Sequence, residues 1–180
     1  MRAARRRLAQ ARQRIRRLSW MARDPESLHP DVPLLSLPAF LRALARFQTI
    51  RTAHERACLL VMRTRPCDLP LRRAVAMHLI ENTRNCDTLG CAGSDTFLLL
   101  LKGADEAGGE AAARRLQVEL RQLAARHGRL LRLHVSMQSL HPRLHPRDIL
   151  PLLSAADEAI APEALPALHD AINAAGIVQP

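Results

Sequence analysis

The chain has 180 residues, a length for one domain large enough to bury its own core. Hydrophobic residues make up 48%, which excludes a disordered chain, and aromatics only 2%, with no Tyr, which argues against a base-stacking surface for single-stranded nucleic acid. The net charge of +10 is not spread over the chain: nine arginines and no acid fall in the first 23 residues, which leaves +1 for the rest.

Residues 4–22 read as an amphipathic helix. Ala4, Leu8, Ala11, Ile15, Leu18 and Ala22 recur at spacings of three and four, and arginines fill the other faces. Such a stripe suits a partner, a second copy or a neighbouring domain. A basic helix on an anionic membrane is the second reading, and nucleic acid the third. This segment, 1–23, is read as an Arg-rich helix or linker, and 24–180 as the folded domain.

Four prolines mark 24–38 as a loop. A helix follows over 39–48, then a strand at Ala57–Arg63. Residues 69–83 read as a helix opened by Asp68, with Pro70 in its first turn. A short segment at 87–92, a turn at Gly93-Ser94 and an apolar strand at Phe97–Leu101 form a hairpin. Ala104–His127 is a long helix stopped by Gly128. Leu130–Met137 alternates as a strand. Further helices are read from near Arg147 and over 163–174. The fold class is α/β: a mostly antiparallel sheet flanked by helices.

No run of about 18 apolar residues can span a bilayer, and no signal peptide is visible, so a cytoplasmic location is expected. Cys58, Cys67, Cys86 and Cys91 form no C-x-x-C pair, so zinc spacings are absent, and free thiols are the simple reading. Cys58 and Cys91 read as small buried hydrophobes. His141 and His145 each precede a proline, which breaks the helix that would present them to a metal together. Neither metal nor cofactor is expected.

The stretch Thr83–Leu101, TRNCDTLGCAGSDTFLLLL, resembles the centre of GGDEF domains, the fold of diguanylate cyclases. The signature turn here reads Gly93-Ser94-Asp95-Thr96-Phe97. LPAFLRAL at 37–44, ARRL at 113–116, LHVSMQS at 133–139 and AADEAI at 155–160 resemble other conserved segments of that family. The resemblance implies a nucleotidyl-cyclase-type sandwich over about 31–160.

It also implies a lost activity. Active members place metal-binding carboxylates at the end of the first strand and at the fourth signature position. This chain has Arg63-Thr64-Arg65 and Thr96 there. Magnesium needs hard, anionic oxygen ligands, and two cations at that edge oppose it. Ser94 crowds the turn, and Pro66–Leu71 lacks the guanine-reading Asn-Asp. The expectation is a protein that is not an enzyme. Arg63 and Arg65 read as drift, or else as a new anion or partner contact. Arg72 and Arg73 read as solvated helix residues, and His134 as structural.

What the resemblance retains is an inhibitory-site pattern, R-x-x-D, five residues before the signature: Arg84-Asn85-Cys86-Asp87. In the family this site binds cyclic di-GMP. A guanidinium suits guanine O6 and N7 or a phosphate, and a carboxylate suits the guanine N1–H and N2–H₂ edge. Arg115 matches the family's further arginine on the long helix, and Arg114 is its neighbour candidate. The string alone carries little in so arginine-rich a chain, since Arg65–Asp68 repeats it; its register against the turn carries the weight. The bland alternative is a surface ion pair worth under about 1 kcal/mol.

Degenerate GGDEF domains with this site act as cyclic di-GMP receptors, and this chain resembles receptor domains of the BcsE kind, with PelD-type receptors second. The expected function is a cyclic di-GMP receptor that regulates exopolysaccharide secretion, cellulose above all, at the inner membrane through synthase or accessory subunits. The alternatives are a scaffold acting through the Arg-rich helix, by self-association or with another partner, and a residual cyclase.

Overall fold

The computed structural model describes residues 27–141. The helices expected at 4–22, near Arg147 and at 163–174, the 155–160 segment and His145 lie outside the described residues.

Among the described residues, five strands and three helices follow in the order β1 (Leu35–Ser36), α1 (Leu37–Ile50), β2 (Ala57–Arg65), α2 (Leu69–Asn82), β3 (Thr88–Ala92), β4 (Thr96–Lys102), α3 (Glu106–Arg126) and β5 (Arg132–Ser139). The sheet order is β1-β3-β4-β2-β5. β1 runs parallel to β3, and the other three pairings are antiparallel. The α/β sandwich expected from the sequence is the architecture found.

The two central strands are apolar on both faces because helices cover both. Cys58, Leu60 and Met62 of β2, with Phe97, Leu99 and Leu101 of β4, pack into one core with Leu79 of α2 and Leu116 and Leu120 of α3. The intervening Leu59, Val61, Leu98 and Leu100 meet Phe40, Leu44 and Phe47 of α1 on the other face. Two glycines set how closely the helices sit. A Cβ on Gly90 would lie 2.7 Å from the Phe40 ring, and one on Gly109 would lie 2.8 Å from Cys58 Sγ. Gly109 therefore brings the first turns of α3 down onto β2.

The helix starts follow their caps. The Asp68 carboxylate accepts the Leu71 N–H at 3.0 Å. Asp105 does the same for Gly108 N–H at 2.9 Å. Each satisfies one of the orphan amides of a first turn.

Four local expectations differ from the structure. The proline-rich loop contains β1, which the parallel pairing of Leu35 with Gly90 and Ser36 with Cys91 stabilises from outside the segment. Helix α1 begins at Leu37 rather than 39, because Pro38 fits a first helical turn, where no N–H is needed. Strand β5 starts at Arg132; Leu130 is 93% exposed, in the connection after Gly128. Arg72 is not a solvated helix residue: it is buried and paired with Asp31, which ties α2 to the segment before β1.

Candidate functional site

Hairpin β3–β4 has two ends, and the chemistry differs between them. At the open end, the start of β3 meets the end of β4, the C-terminus of α2 and the first turns of α3. A cavity of about 740 Å³ lies there. Arg84 and Asp87 line it from the α2–β3 corner, Arg115 from α3, and Arg56 from the residue before β2. The size suits a small-molecule ligand.

Small residues make the room. Gly108, Ala111 and Ala112 form the α3 wall and Gly103 part of the rim. Gly103 has φ +73, a conformation open to glycine, and its N–H donates to the Arg56 carbonyl at 2.7 Å. That bond closes the corner between β4 and the start of β2.

Asp87 is buried at 8% exposure. Its Oδ2 accepts the Arg84 N–H at 2.9 Å, and its Oδ1 accepts the Lys102 N–H at 3.3 Å. The carboxylate thus holds the R-x-x-D turn closed and pins it to the end of β4. A carboxylate has about four acceptor positions, so these bonds leave capacity for donors on a ligand. The sequence reading gave Asp87 a ligand role and missed this structural one.

Arg115 is set by its neighbours. Its Nη2 donates to the Asn82 carbonyl at 3.3 Å. Its Nε lies 3.9 Å from Glu119, which also contacts His78 Nε2 at 3.0 Å. These contacts join α2 to α3 and hold the guanidinium at the cavity. Arg114 is placed elsewhere: it pairs with Glu110 at 3.3 Å on the exposed side of α3 and is not among the residues lining the cavity. One residue along a helix turns the side chain by about 100°. The sequence reading also missed Arg56, which has no motif to mark it and reaches the cavity only through the fold. Lys102 lines the cavity too, yet its ammonium lies 5.3 Å from the Phe47 ring, a residue of the α1 core.

At the other end lies the signature turn. Gly93 has φ +64, so glycine suits that position. The Asp95 carboxylate accepts from Arg65 Nε at 2.7 Å and from Thr96 Oγ1 at 3.0 Å. Its carbonyl accepts the Thr64 N–H at 2.9 Å and the Thr64 hydroxyl at 3.0 Å. Arg63 lies opposite Thr96 on β4 and opposite His134 on β5. This donor set does not fit a magnesium ion. Asp95 is the one carboxylate of the turn, and a guanidinium and a hydroxyl already engage it. Among the described residues no group of three His, Cys, Asp or Glu side chains is placed to hold a metal ion.

Of the cysteines, Cys58 and Cys91 are buried and all four are free. Burial pushes the Cys58 thiol up and that of Cys91 to about 12, so both stay protonated at neutral pH. Among the described residues, no helix is long and apolar enough to cross a membrane.

No family model and no curated protein matches the chain in sequence. Solved structures do match it in fold. The GGDEF domain of DgcB from Caulobacter crescentus, in complex with c-di-GMP, is 13% identical with a TM-score of 0.56, over 73% of this chain and 85% of that one. The diguanylate cyclase SiaD of Pseudomonas aeruginosa, in complex with its activator SiaC, is 17% identical with a TM-score of 0.65, over 96% of this chain and 68% of that one. The FimX GGDEF domain of the same organism is 19% identical with a TM-score of 0.50, over 69% and 86%. The fold is GGDEF-like.

Proposed function

We propose that this protein is a non-catalytic receptor for cyclic di-GMP, which it binds in the cavity between α2, the open end of the hairpin and α3. The observation that carries the reading is the meeting of Arg84, Asp87 and Arg115 at one cavity of about 740 Å³. Arg84 and Asp87 come from one turn and Arg115 from α3, and the sequence reading selected these three together with Arg114, which lies elsewhere. Guanidiniums suit the ligand's phosphates and guanine O6 and N7, and the remaining acceptor positions of Asp87 suit the guanine N1–H and N2–H₂ donors. The one carboxylate beside Arg63, Arg65 and Thr96 is that of Asp95, and its engagement by Arg65 and Thr96 supports a protein without cyclase activity. Binding needs no metal.

The finer reading is regulation of exopolysaccharide secretion, cellulose above all, through protein partners. It rests on the resemblance to receptor domains of the BcsE and PelD kinds. Ligand binding can shift a partner equilibrium only by its different affinity for the two states. The scaffold reading, in which residues 1–23 act alone, is supported by their charge and periodicity and can hold alongside the first.

The test is calorimetric titration of cyclic di-GMP into the protein without magnesium. The expected result is micromolar or tighter binding, weakened roughly 10- to 100-fold by Arg84→Ala, the range for losing a charged hydrogen-bonding group. Incubation with GTP and Mg²⁺ is expected to yield no cyclic di-GMP. Wild-type protein without saturable binding, or with GTP turnover, would contradict the proposal.

A further inference from the structure

Arg56 is a cation of the cavity that no motif marks. Its backbone is fixed: the carbonyl accepts the Gly103 N–H, and the next residue, Ala57, pairs with Lys102. Its side chain is 71% exposed, and Nη1 lies 3.2 Å from Asp105 Oδ2. Asp105 has a second task, since its Oδ1 caps α3 at Gly108. A carboxylate at a helix N-terminus is already stabilised by the helix dipole and that amide. It loses little when its exposed guanidinium partner leaves, because such pairs are weak.

Two of the other lining cations, Arg115 and Lys102, are more committed. Arg115 is held by the Asn82 carbonyl and Glu119, and the Lys102 ammonium lies over the Phe47 ring. A cyclic dinucleotide carries two phosphodiester charges as well as its base edges. If Arg84 and Arg115 serve one guanine and one phosphate, the second phosphate needs another cation.

We propose that Arg56 is a phosphate-binding residue of this cavity, held beside it by Asp105 and released to the ligand's phosphodiester on binding. This deepens the receptor reading and rests on it. Arg56 exchanges one anion for another, and Asp105 keeps its cap on α3. The trade makes Asp105 a competitor for the ligand, which gives the proposal a sign that a merely structural ion pair lacks.

The experiment is titration of cyclic di-GMP into the full chain and three variants, at low and at moderate salt. Arg56→Ala is expected to bind about tenfold more weakly and to show a shallower salt dependence. Asp105→Asn keeps a good cap and removes the competing charge, so it is expected to bind several-fold more tightly. Arg46→Ala makes the same charge change on an exposed position of α1, across the sheet, and is expected to bind as wild type does. Wild-type binding with Arg56→Ala within twofold of it would overturn this assignment and leave the receptor reading standing. So would equal losses in Arg56→Ala and Arg46→Ala, or weaker binding by Asp105→Asn. A wild-type chain that does not bind would overturn both.

Discussion

The two ends of one hairpin differ in how their charges are used. At the signature turn, Asp95 is closed off by Arg65 and Thr96, and Arg63 stands beside them on β2. At the open end, Asp87 is spent on two backbone amides, yet the guanidiniums of Arg56 and Arg115 border a large cavity. At the first end Arg65, Thr64 and Thr96 engage Asp95, and the described residues offer no anionic ligand set for a metal. The second has a rigid frame and room beside it. The same sheet supports both, so what a sandwich of this kind can do depends on a few side chains at each end of its hairpin.

The largest way to break this contrast is Asp87→Ala. Two N–H groups lose their acceptor in a buried turn, at a cost of about 1–3 kcal/mol. Thermal unfolding is expected to fall by several degrees, with binding lost as well. Asp87→Asn keeps one acceptor oxygen and should lose less stability. If Asp87→Ala melted with wild type, the turn would not depend on this carboxylate.

Gly109→Ala sharpens the same end from the other side. The new methyl meets Cys58 Sγ at 2.8 Å and Cys58 Cβ at 3.0 Å. Overpacking of this kind costs about 1–3 kcal/mol, against a gain of up to about 1 kcal/mol in helix propensity. Net destabilisation in urea is expected, partly restored by Cys58→Ala in the double variant. A more stable Gly109→Ala would mean that α3 does not need its close approach to β2.

Arg65→Ala probes the signature end. It removes a half-exposed pair with Asp95, and less than about 1 kcal/mol of stability is expected to go with it. Cyclic di-GMP binding should be unchanged. A loss of binding as large as that of Arg84→Ala would erase the distinction between the ends.

The smallest effect concerns Asp68, which caps α2 and meets Arg129 Nη2 at 2.6 Å. The Leu71 amide, then Arg129, hold this carboxyl below its ordinary range. A depressed folded pKa contributes stability above the ordinary carboxylate value and loses it as pH falls through that value and past the folded one. Urea midpoints of wild type and Asp68→Asn should therefore converge as pH falls below about 4 and on through the lowered folded value. A gap that stayed constant would mean that the cap is indifferent to the charge.

Much of this was legible in the chain. The apolar runs at Ala57–Arg63 and Phe97–Leu101 declare buried strands, and Asp68 with Pro70 marks a helix start, because those signals are local. The pair β1 was not legible. Two residues in a proline-rich stretch become a strand because Gly90 and Cys91, over fifty residues on, offer a partner edge, with Leu28 bridging Leu35 as well. Arg72 was misread for a related reason: its burial depends on Asp31, which lies before β1. At the cavity, Arg84, Asp87 and Arg115 could be chosen by register against the turn. Arg56 could not, since only the Gly103 bond and the pairing of β2 with β4 bring it there.

The most direct test of the contrast is a ¹⁵N amide-shift titration of the protein with cyclic di-GMP. The account predicts saturable shifts at Arg56, Arg84–Thr88, Lys102–Asp105 and Ala111–Arg115, with Thr64, Arg65 and Ser94–Thr96 unmoved. Shifts centred on the signature turn, or none at all, would contradict it.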